Sequence, residues 1–461
     1  MKEKKVKVRS KTAIQCHFLP PEERLNSFNE VNLGYINFEE VIRECERCYQ
    51  CFMKSDPEVK PPPCMKYCPT HCNSREVIKN VLNGDIDEAL KIIYNHYPFP
   101  RSVERVCPGY CQLHCTAGKK GDPIQIPTIK RFLVDNFSIP REYFKRDDDT
   151  GKKVAVIGSG PLGLTVAYFL QKFGFNTTIF EKLNVLGGMM ATEIPEFRLP
   201  RKILKEEIEN IRKLGVKYFT NKGIDEKFNV QGLLESGFDA VVIGIGAHRG
   251  KWTKLPGEEP QIILQAIDFL EYFHLEKEIP DLKAKEVVVI GGGSTATDAA
   301  RVSKRLGANV SILYRREKEQ MPAGKAEIRD TEDEGISIKY LTNPVEFICT
   351  ENEFQIAICQ KVELGDTDES GRPRPILIEN SEFKVKADYI IEAIGQEPNL
   401  KGFDKNKFKI TLVNTFEVND KFFTSVSKVL AGGDCVTGSK SVVDAVAQGK
   451  IIAEQIRDFL M

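Results

Sequence analysis

The sequence of 461 residues lacks several features that would place it in other classes of protein. No apolar run approaches the 18 residues of a membrane-spanning helix, and residues 1–16 contain no apolar core of a signal peptide. Lysine plus arginine equals aspartate plus glutamate at 66 each, so no net charge favours nucleic acid or a membrane surface. These absences predict a cytoplasmic protein with no membrane insertion and no nucleic-acid partner. The length allows about two to four domains.

Cysteine is missing between Cys115 and Cys349, whereas nine of the 13 cysteines lie between Cys45 and Cys115. A disulfide framework does not fit a cytosolic chain of this size, so the crowding indicates metal. Neighbouring thiolates can share a metal centre at the spacings found here. The cysteines at these spacings are Cys48 and Cys51, then Cys64, Cys68 and Cys72, then Cys107, Cys111 and Cys115.

The cysteine pattern fits two kinds of metal site. A proline follows both Cys68 and Cys107, as it follows cluster cysteines in bacterial ferredoxins. Structural zinc uses the same C-x-x-C spacing, and unmetallated thiols are a third alternative. Since zinc carries no electrons, the dinucleotide-binding pattern that begins at Lys153 favours two [4Fe–4S] clusters. The nearby His71, His96 and His114 are expected to be surface or packing residues rather than ligands.

A dinucleotide-binding unit begins with the continuous apolar run Val154–Ile157, which is typical of a strand buried on both faces. Gly158, Gly160 and Gly163 follow it in the pattern G-x-G-x-x-G. The first glycine permits a tight turn, the second lets backbone approach a pyrophosphate, and the third lets the helix lie close to the strand. The alternative is a βαβ unit that uses its glycines only for packing.

A second fingerprint follows another apolar run and consists of Gly291, Gly293 and Ala296 in the pattern G-x-G-x-x-A. The two units differ at the position that contacts the ribose, which is Glu181 in the first and Arg315, followed by Arg316, in the second. A carboxylate accepts from two hydroxyls but repels a 2′-phosphate, whereas guanidinium groups bind that phosphate. The first unit therefore suits FAD and the second NADP, although pairing of Glu317 with a free ribose keeps NAD open.

Further residues are expected to line the flavin. Gly187 and Gly188 allow backbone to lie against the ribityl chain or the isoalloxazine, and Arg198 has a charge that suits flavin or nicotinamide, unless it is a plain surface arginine. Near the C-terminus, Asp434 follows a buried strand and precedes a helix from about Val442, whose N-terminus offers N–H groups to the pyrophosphate or a flavin carbonyl.

The residues assigned to cofactor binding are, in chain order, Gly158, Ser159, Gly160, Pro161, Gly163, Glu181, Lys182, Gly188, Met189, Arg198, Gly246, Gly291, Gly293, Ser294, Thr295, Arg315, Arg316, Gly395, Gly433, Asp434 and Val443. No catalytic side chain is assigned, because hydride transfer between nicotinamide and flavin needs positioning rather than a protein acid or base. Cys349, Cys359 and Cys435 offer no C-x-x-C or C-x4-C pair, so flavin electrons must leave by another route, and the cysteine-rich region supplies one.

From about residue 38 onward the chain resembles the small (beta) subunit of glutamate synthase. The same module occurs in dihydropyrimidine dehydrogenase and in the large subunit of NADH-dependent ferredoxin:NADP oxidoreductases. The motifs that carry the resemblance are RCYQC, CMKYCP, VCPGYCQLHC, GSGPLG, EIPEFRLP, GGGSTATDAAR, LYRRE with MPA, and AGGDC. The resemblance implies an α/β protein with an N-terminal α-helical iron–sulfur domain and two Rossmann-like FAD and NAD(P) domains of the glutathione-reductase type.

The domain boundaries expected on this basis are 1–150 for the helical [4Fe–4S] domain, 151–281 and 395–461 for the two parts of the FAD domain, and 282–394 for the NAD(P) domain. The resemblance implies that Cys48, Cys51, Cys64 and Cys115 hold one cluster and that Cys68, Cys107 and Cys111 provide most of the other.

The chain departs from its relatives at the second cluster. Relatives commonly use Gln or Glu as the fourth ligand, and a position aligned with it is Lys130, whose ammonium group cannot bind iron. Cys45 and Cys72 are additional to the usual pattern. We therefore expect Cys72 or Cys45 to supply the missing ligand, with Cys72 slightly favoured because a helical turn would bring it to the same side as Cys68.

The resemblance implies an oxidoreductase that passes electrons from NAD(P)H through FAD and the clusters to a partner protein. That partner would be the glutamate synthase large subunit, a ferredoxin or another electron-accepting subunit. The alternatives are a ferredoxin–NAD(P) oxidoreductase or electron-bifurcating subunit, an electron-input subunit of another redox complex, and a non-catalytic assembly subunit. The chain contains no glutamine amidotransferase or FMN-barrel sequence, so we do not expect it to make glutamate alone.

Overall fold

The computed structural model describes residues 9–51, 61–257, 263–349, 355–367 and 371–461. The N-terminal region is mainly helical, as the sequence predicts. Its elements are β1 (His17–Phe18), α1 (Pro21–Arg24), β2 (Asn32–Gly34), α2 (Phe38–Glu46), α3 (Pro63–Lys66), α4 (Ser74–Asn83), α5 (Ile86–Tyr94), α6 (Pro100–Val106), α7 (Tyr110–Leu113) and α8 (Ile126–Asn136).

Side-chain caps explain where these helices begin. The side chains of Asn37, Asn73 and Asp85 accept backbone N–H groups in the first turns of α2, α4 and α5. Gly84 ends α4 in a left-handed conformation, with φ of 81°, which separates α4 from α5 where the sequence predicts a break.

The first nucleotide-binding unit is a five-stranded parallel sheet covered by helices. It contains β3 (Lys153–Ile157), α9 (Pro161–Lys172), β4 (Asn176–Phe180), α10 (Met189–Thr192), α11 (Arg201–Lys213), β5 (Lys217–Phe219), α12 (Val230–Glu235) and β6 (Ala240–Ile243). The chain returns to it near the C-terminus with β18 (Val429–Ala431), α16 (Asp434–Thr437) and α17 (Val442–Leu460). The strand order is β18-β6-β3-β4-β5, so β3 lies at the centre and its carboxyl end carries the glycine turn.

The second unit repeats this design. It contains β8 (Ile263–Gln265), α13 (Ala266–His274), β9 (Glu286–Ile290), α14 (Ser294–Arg305), β10 (Asn309–Leu313), α15 (Lys325–Asp333), β11 (Ser337–Lys339) and β16 (Tyr389–Glu392). Its parallel sheet has the order β11-β10-β9-β16-β8. An antiparallel sheet of β12 (Thr342–Cys349), β13 (Gln355–Thr367), β14 (Pro373–Leu377) and β15 (Phe383–Ala387) precedes β16 in the chain.

The expected boundary between the first part of the FAD domain and the NAD(P) domain, at 281/282, lies too late in the chain. Strand β8 pairs in parallel with β16, so β8 and α13 belong to the second sheet rather than to the first unit. The chain crosses between the units at a two-stranded antiparallel pair of β7 (Arg249–Gly250) and β17 (Gln396–Glu397). Sequence spacing missed β8 because it is only three residues long and has no glycine fingerprint beside it.

The N-terminal segment before α2 packs on the second nucleotide-binding unit. The Val31 N–H donates to the Phe197 carbonyl at 2.9 Å, and Arg305 Nε donates to the Ser27 carbonyl at 3.1 Å. The ring of Phe28 lies 5.0 Å from that of Phe273 on α13. Residues 27–31 therefore connect the cysteine-rich domain to the second nucleotide-binding unit, since Glu30 also pairs with Arg105 of α6 at 2.8 Å and with Arg131 of α8 at 3.0 Å.

Within the described part of the chain, every helix is too short or too polar to span a bilayer.

Candidate functional site

A continuous cavity of about 3010 Å³ lies where the two nucleotide-binding units and the cysteine-rich domain meet. Ordinary small-molecule sites have volumes of roughly 300–1,000 Å³, so this cavity has room for more than one large ligand. Both glycine turns line it, and so does the loop from Cys107 to Gln112. All residues assigned to cofactor binding from the sequence line the cavity except Gly163 and Val443, which pack beneath it.

The first glycine turn has the geometry that a dinucleotide site requires. Gly158 has φ of +98°, and a Cβ there would lie 2.4 Å from the Gly244 carbonyl oxygen. A Cβ on Gly163 would lie 2.0 Å from the Gly158 carbonyl oxygen, so α9 packs against β3 at a distance that only glycine permits. A Cβ on Gly160 would meet nothing within 4 Å. The turn therefore leaves open space at the N-terminus of α9, where a pyrophosphate would fit.

Glu181 lies at the end of β4 and is buried beside this turn. Its Oε2 accepts the Ser159 N–H at 2.8 Å and the Ser159 Oγ–H at 2.6 Å, while Oε1 accepts the Leu183 N–H at 2.9 Å. These bonds hold the carboxylate at the edge of the cavity. The exposed Lys182 lines the cavity next to it.

The second glycine turn repeats the arrangement. A Cβ on Gly291 would lie 2.3 Å from the Ala393 carbonyl oxygen, and a Cβ on Gly293 would meet nothing within 4 Å. Ser294 and Thr295 begin α14 and line the cavity. The Ser294 hydroxyl donates to Glu327 Oε2 at 2.9 Å. This N-terminus also fits a pyrophosphate.

The two arginines after β10 differ in their surroundings. Arg315 is exposed at the cavity rim, whereas Arg316 is only 2% exposed and its Nε donates to the Pro373 carbonyl at 2.7 Å. Glu317 caps the short 3₁₀ helix Lys318–Gln320. Arg315 is therefore the residue best placed to meet a phosphate on the ribose, and Arg316 also supports the hairpin that contains β14.

On the flavin side, Asp434 begins α16 and its Oδ1 accepts the Lys440 N–H at 3.1 Å. Burial raises the pKa of its carboxyl to about 7. Gly188, Met189, Gly246, Gly395 and Gly433 surround the same part of the cavity. Val443 is buried in the core of the first unit, and its neighbour Val442 lines the cavity instead.

The sequence analysis missed a buried polar group at the junction of the two units. Glu193 is 6% exposed, and its Oε2 accepts from Gln396 Nε2 at 3.3 Å. Gln396 Nε2 also lies 3.4 Å from Thr295 Oγ1 and therefore links both units. Glu193 Oε1 lies 3.8 Å from His248 Nδ1, and burial raises the pKa of Glu193 well above its ordinary value. Glu193 is the first residue of the motif EIPEFRLP, so the sequence did contain a signal for it.

Arg198 is held by two carboxylates of the second unit. Its Nη1 lies 2.5 Å from Asp298 Oδ2, and its Nη2 pairs with Glu327 Oε1. Its neighbour Phe197 is buried, with the guanidinium carbons of Arg301 and Arg305 4.5 and 4.1 Å from its ring centre. The charge of Arg198 thus joins the two units, and because the side chain also lines the cavity, its expected contact with flavin or nicotinamide stays a prediction.

The clustered cysteines fall into two groups. The first cysteine group consists of Cys48, Cys51, Cys64 and Cys115. Burial raises the pKa of the Cys64 thiol to about 11, and the neighbouring thiols of Cys48, Cys115 and Cys51 add to the effect. The Gln50 N–H points at Cys48 Sγ at 3.4 Å, an orientation that suits a metal-bound thiolate.

The second cysteine group consists of Cys68, Cys72, Cys107 and Cys111, which surround the ion pair of Lys130 and Glu104. Lys130 Nζ lies 2.6 Å from Glu104 Oε1, and both side chains are almost completely buried. Burial raises the pKa of the Cys107 thiol to about 12, because it disfavours the thiolate. The Gly109 N–H is a backbone donor to this thiol.

These groups fit iron–sulfur clusters by their donor chemistry. Each holds four thiols, and backbone N–H groups face sulfurs in both, as they do around clusters. Across residues 9–51, 61–257, 263–349, 355–367 and 371–461, no three His, Cys, Asp or Glu side chains converge on the position of a single metal ion. The thiols of a four-iron cluster bind different irons and do not need to converge in that way. Among the histidines, His96 Nδ1 donates to the Thr70 carbonyl at 2.9 Å, and His114 stacks on Tyr67.

Two contacts join the cysteine-rich domain to the first unit beside the cavity. The Tyr110 hydroxyl, between Cys107 and Cys111, donates to Asp444 Oδ2 at 2.9 Å at the start of α17. Glu207 of α11 is 3% exposed and accepts the N–H groups of Arg101 and Ser102 at 2.7 and 2.8 Å. These are first-turn donors of α6, the helix that leads into Cys107, so Glu207 caps a helix of the neighbouring domain.

We expect Glu207→Ala to loosen this domain contact, because two buried N–H groups lose their acceptors at a cost of about 1–3 kcal/mol each. Amide hydrogen exchange at Arg101 and Ser102 should accelerate at least tenfold. Glu206→Ala is the matched control, since Glu206 pairs with Arg101 at 2.6 Å but is 43% exposed, where an ion pair contributes about 1 kcal/mol or less. Equal effects of the two variants would contradict the capping role.

Two family models match the chain. The model described as pyridine nucleotide-disulphide oxidoreductase covers residues 152–449. The model described as dihydropyrimidine dehydrogenase domain II, 4Fe-4S cluster, covers residues 24–141. Together they span the two nucleotide-binding units and the cysteine-rich domain.

Several curated proteins are similar over most of the chain. The beta subunit of NADP(+)-dependent formate dehydrogenase from Moorella thermoacetica is 36% identical over 86% of this chain and 60% of that protein. The beta subunit of NADPH-Fe(3+) oxidoreductase from Geobacter sulfurreducens is 33% identical, with 97% of this chain and 70% of that protein covered. The small chain of Escherichia coli NADPH glutamate synthase is 30% identical, with 90% and 91% covered.

Among solved structures, FprA of Mycobacterium tuberculosis in complex with NADPH matches with a TM-score of 0.55 at 19% identity. The match covers 67% of this chain and 85% of that one. At this identity the likeness concerns the fold. The chain spans only 60% of the length of the formate dehydrogenase subunit, so that protein has a substantial part with no counterpart here.

Proposed function

Because the chain belongs to the pyridine nucleotide-disulphide oxidoreductase family, in the branch of NADPH-dependent flavin and iron–sulfur oxidoreductases that includes the glutamate synthase small chain, we propose that it is the electron-input subunit of a redox complex. The resemblance drawn from the sequence motifs is thereby confirmed, as are the fold class and the cofactors FAD, NADP and [4Fe–4S]. In the proposed reaction NADPH gives hydride to FAD, which passes electrons singly to the clusters and on to a partner protein.

The single observation that carries this proposal is the shared cavity. It brings together both glycine turns and the segment around Cys107, so the residues that would hold a flavin, those that would hold a nicotinamide coenzyme and a member of the second cysteine group all border one space. The contact of Tyr110 with Asp444 fixes that loop against the start of α17. Hydride and electron transfer both depend on such positioning.

We assign FAD to the first glycine turn, Glu181 and the residues around Asp434, because the turn offers open space and N–H groups while the acid offers acceptors. We assign NADP to the second glycine turn, with Ser294, Thr295 and Arg315 as its contacts. The first cysteine group would hold one [4Fe–4S] cluster, and Cys68, Cys107 and Cys111 would hold most of the other. These assignments rest on residue chemistry and placement.

The partner is proposed by analogy. The relatives are named as beta subunits or a small chain, which supports a complex with at least one further redox subunit. The partner would be the large subunit of a glutamate synthase, a ferredoxin or another electron-accepting subunit. A cytoplasmic location stays a prediction from the sequence.

Anaerobically purified protein should contain one FAD and about eight irons, the content of two four-iron clusters. Adding NADPH should bleach the flavin absorbance, reduce an artificial dye catalytically and generate the electron paramagnetic resonance (EPR) signals of reduced clusters. NADH serves as the comparison coenzyme. Zinc with negligible iron, or a flavin that NADPH does not reduce, would refute the proposal. Co-purification from the native host would then identify the acceptor.

A further inference from the structure

The second cysteine group contains one thiol more than the three assigned above. Cys72 is completely buried at the start of α4, four residues after Cys68. Its nearest charged and thiol neighbours are Lys130, Cys68 and Glu104. Cys72 therefore belongs to a set of four thiols in the region matched by the 4Fe-4S family model.

The Tyr97 hydroxyl connects Cys72 to the rest of the group. It lies 3.4 Å from Cys68 Sγ and 3.4 Å from Lys130 Nζ, and it hydrogen-bonds the Cys72 thiol. Tyr97 is 1% exposed, so this hydroxyl is fixed in the interior. The thiols of Cys68 and Cys72 thus face the same small polar region between α4 and α8.

The backbone before Cys72 resembles the backbone before Cys51, a member of the first group. His71 has φ of 54° and Gln50 has φ of 49°, although residues other than glycine rarely adopt positive φ. In both cases a left-handed residue immediately precedes the second cysteine of a pair. This turn sets the direction in which the following thiol points, and such conformations recur at functional sites.

The other candidates for the fourth ligand of the second cluster are less suitable than Cys72. Cys45 is also fully buried, but its neighbours are Cys48 and Glu44, on the side of the first group. Lys130 carries an ammonium group, which has no lone pair for iron. Glu104 has a carboxylate of the right chemistry, and its buried oxygens have no hydrogen-bond partner among the described residues, but it is the counter-ion of Lys130 at 2.6 Å. Binding of Glu104 to iron would leave that buried ammonium without its counter-charge.

We propose that Cys72 supplies the fourth thiolate of the second four-iron cluster. The proposal rests on the assignment of clusters under the proposed function and extends it to the fourth ligand of the second cluster. The Lys130–Glu104 pair then lies beside the cluster as a neighbouring ion pair, and Cys45 remains a buried thiol outside both sites.

The test compares Cys72→Ala and Cys72→Ser with Cys45→Ala and Cys45→Ser, all purified anaerobically. Both thiols are fully buried, so the Cys45 variants impose the same packing change. Iron and FAD are measured, and cluster signals are counted by EPR in oxidised and dithionite-reduced protein. Cys72→Ala should lose between about one and four irons. Its EPR spectrum should show a three-iron signal in the oxidised protein, or lack one of the two cluster signals in the reduced protein. The Cys45 variants should keep both clusters.

The flavin content and the signal of the first cluster show whether each variant is folded. Both four-iron signals at full intensity in Cys72→Ala would overturn the proposal, as would loss of a cluster in the Cys45 variants alone. Loss of a cluster in Glu104→Gln with retention in Cys72→Ala would assign the ligand to Glu104 instead. If the Cys72 variants do not fold, pulsed EPR of the wild-type protein decides, because oxygen or nitrogen ligation of the second cluster would contradict four thiolates. Absence of iron from the wild-type protein would refute the proposed function itself, which is a different result.

Discussion

Arg198→Met should destabilise the second nucleotide-binding unit by about 3–5 kcal/mol, the cost of removing one partner of a buried charge cluster. Asp298 and Glu327 flank the guanidinium, and Asp298 is 6% exposed in its side chain while Glu327 is 18% exposed. Without Arg198 the two carboxylates repel each other at the wall of the cavity, where both side chains are largely buried. Arg198→Met is chosen because methionine keeps much of the volume and removes the charge.

The pH dependence of this loss follows from Asp298. Burial raises its pKa to about 6, against the lowering effect of Arg198. Its folded pKa lies above the ordinary value of 3.8, so the stability it contributes is present below about pH 4 and is lost as the pH rises through 6. Removing Arg198 raises that pKa further. The penalty of Arg198→Met should therefore be larger at pH 8 than at pH 5.

Chemical unfolding can be followed at the second unit itself, because the single tryptophan, Trp252, packs against the core of that unit. The triple variant Arg198→Met, Asp298→Asn, Glu327→Gln is the decisive control. It leaves no uncompensated charge and should recover most of the lost stability. A penalty below about 1 kcal/mol for Arg198→Met alone, or no recovery in the triple variant, would show that the ion cluster does not hold the units together.

The two glycine turns were predictable because local sequence sets them. A buried strand, a positive-φ glycine and a helix follow one another within about a dozen residues, and the structure places Gly158 and Gly163 as the fingerprint requires. The grouping of Cys48 and Cys51 with Cys64 and Cys115 was available from family resemblance. Spacing alone does not give it, since these cysteines come from separate helices and loops.

Contacts between domains were not predictable in the same way. The ion pair of Arg198 could not be predicted, because a cation in a proline-flanked loop gives no information about distant partners and Asp298 lies 100 residues away in the chain. The sequence around Glu207 does not distinguish it from other acids on a helix surface. Its role depends on the backbone N–H groups in the first turn of α6, which donate to its carboxylate from another domain. The short strand β8 was missed for a related reason, since its pairing with β16 is a long-range contact.

Arg315→Ala should weaken NADPH binding about ten- to hundredfold and leave NADH nearly unchanged. Arg315 is exposed just after β10, at the position proposed to contact the ribose in the second unit. A charge-assisted contact to a 2′-phosphate contributes about 1.5–3 kcal/mol, and NADH has no such phosphate. The measurement is the dissociation constant of each coenzyme, together with the rate at which each bleaches the flavin.

Two neighbouring cations, Arg316 and Lys318, help to interpret the coenzyme affinities of Arg315→Ala. Arg316 is left unchanged because it is 2% exposed and its Nε supports the Pro373 carbonyl, so its loss would disturb the hairpin as well as the coenzyme. Lys318→Ala is the control for a general loss of positive charge, since Lys318 is a nearby exposed cation that pairs with Glu332 at 2.7 Å. It should change the affinity for both coenzymes by less than about twofold, as expected for a screened surface charge. Equal losses of NADPH and NADH affinity in Arg315→Ala would contradict the prediction. They would mean that Arg315 holds the pyrophosphate or the loop and does not distinguish the 2′-phosphate. Coenzyme preference would then have to arise elsewhere on the cavity wall.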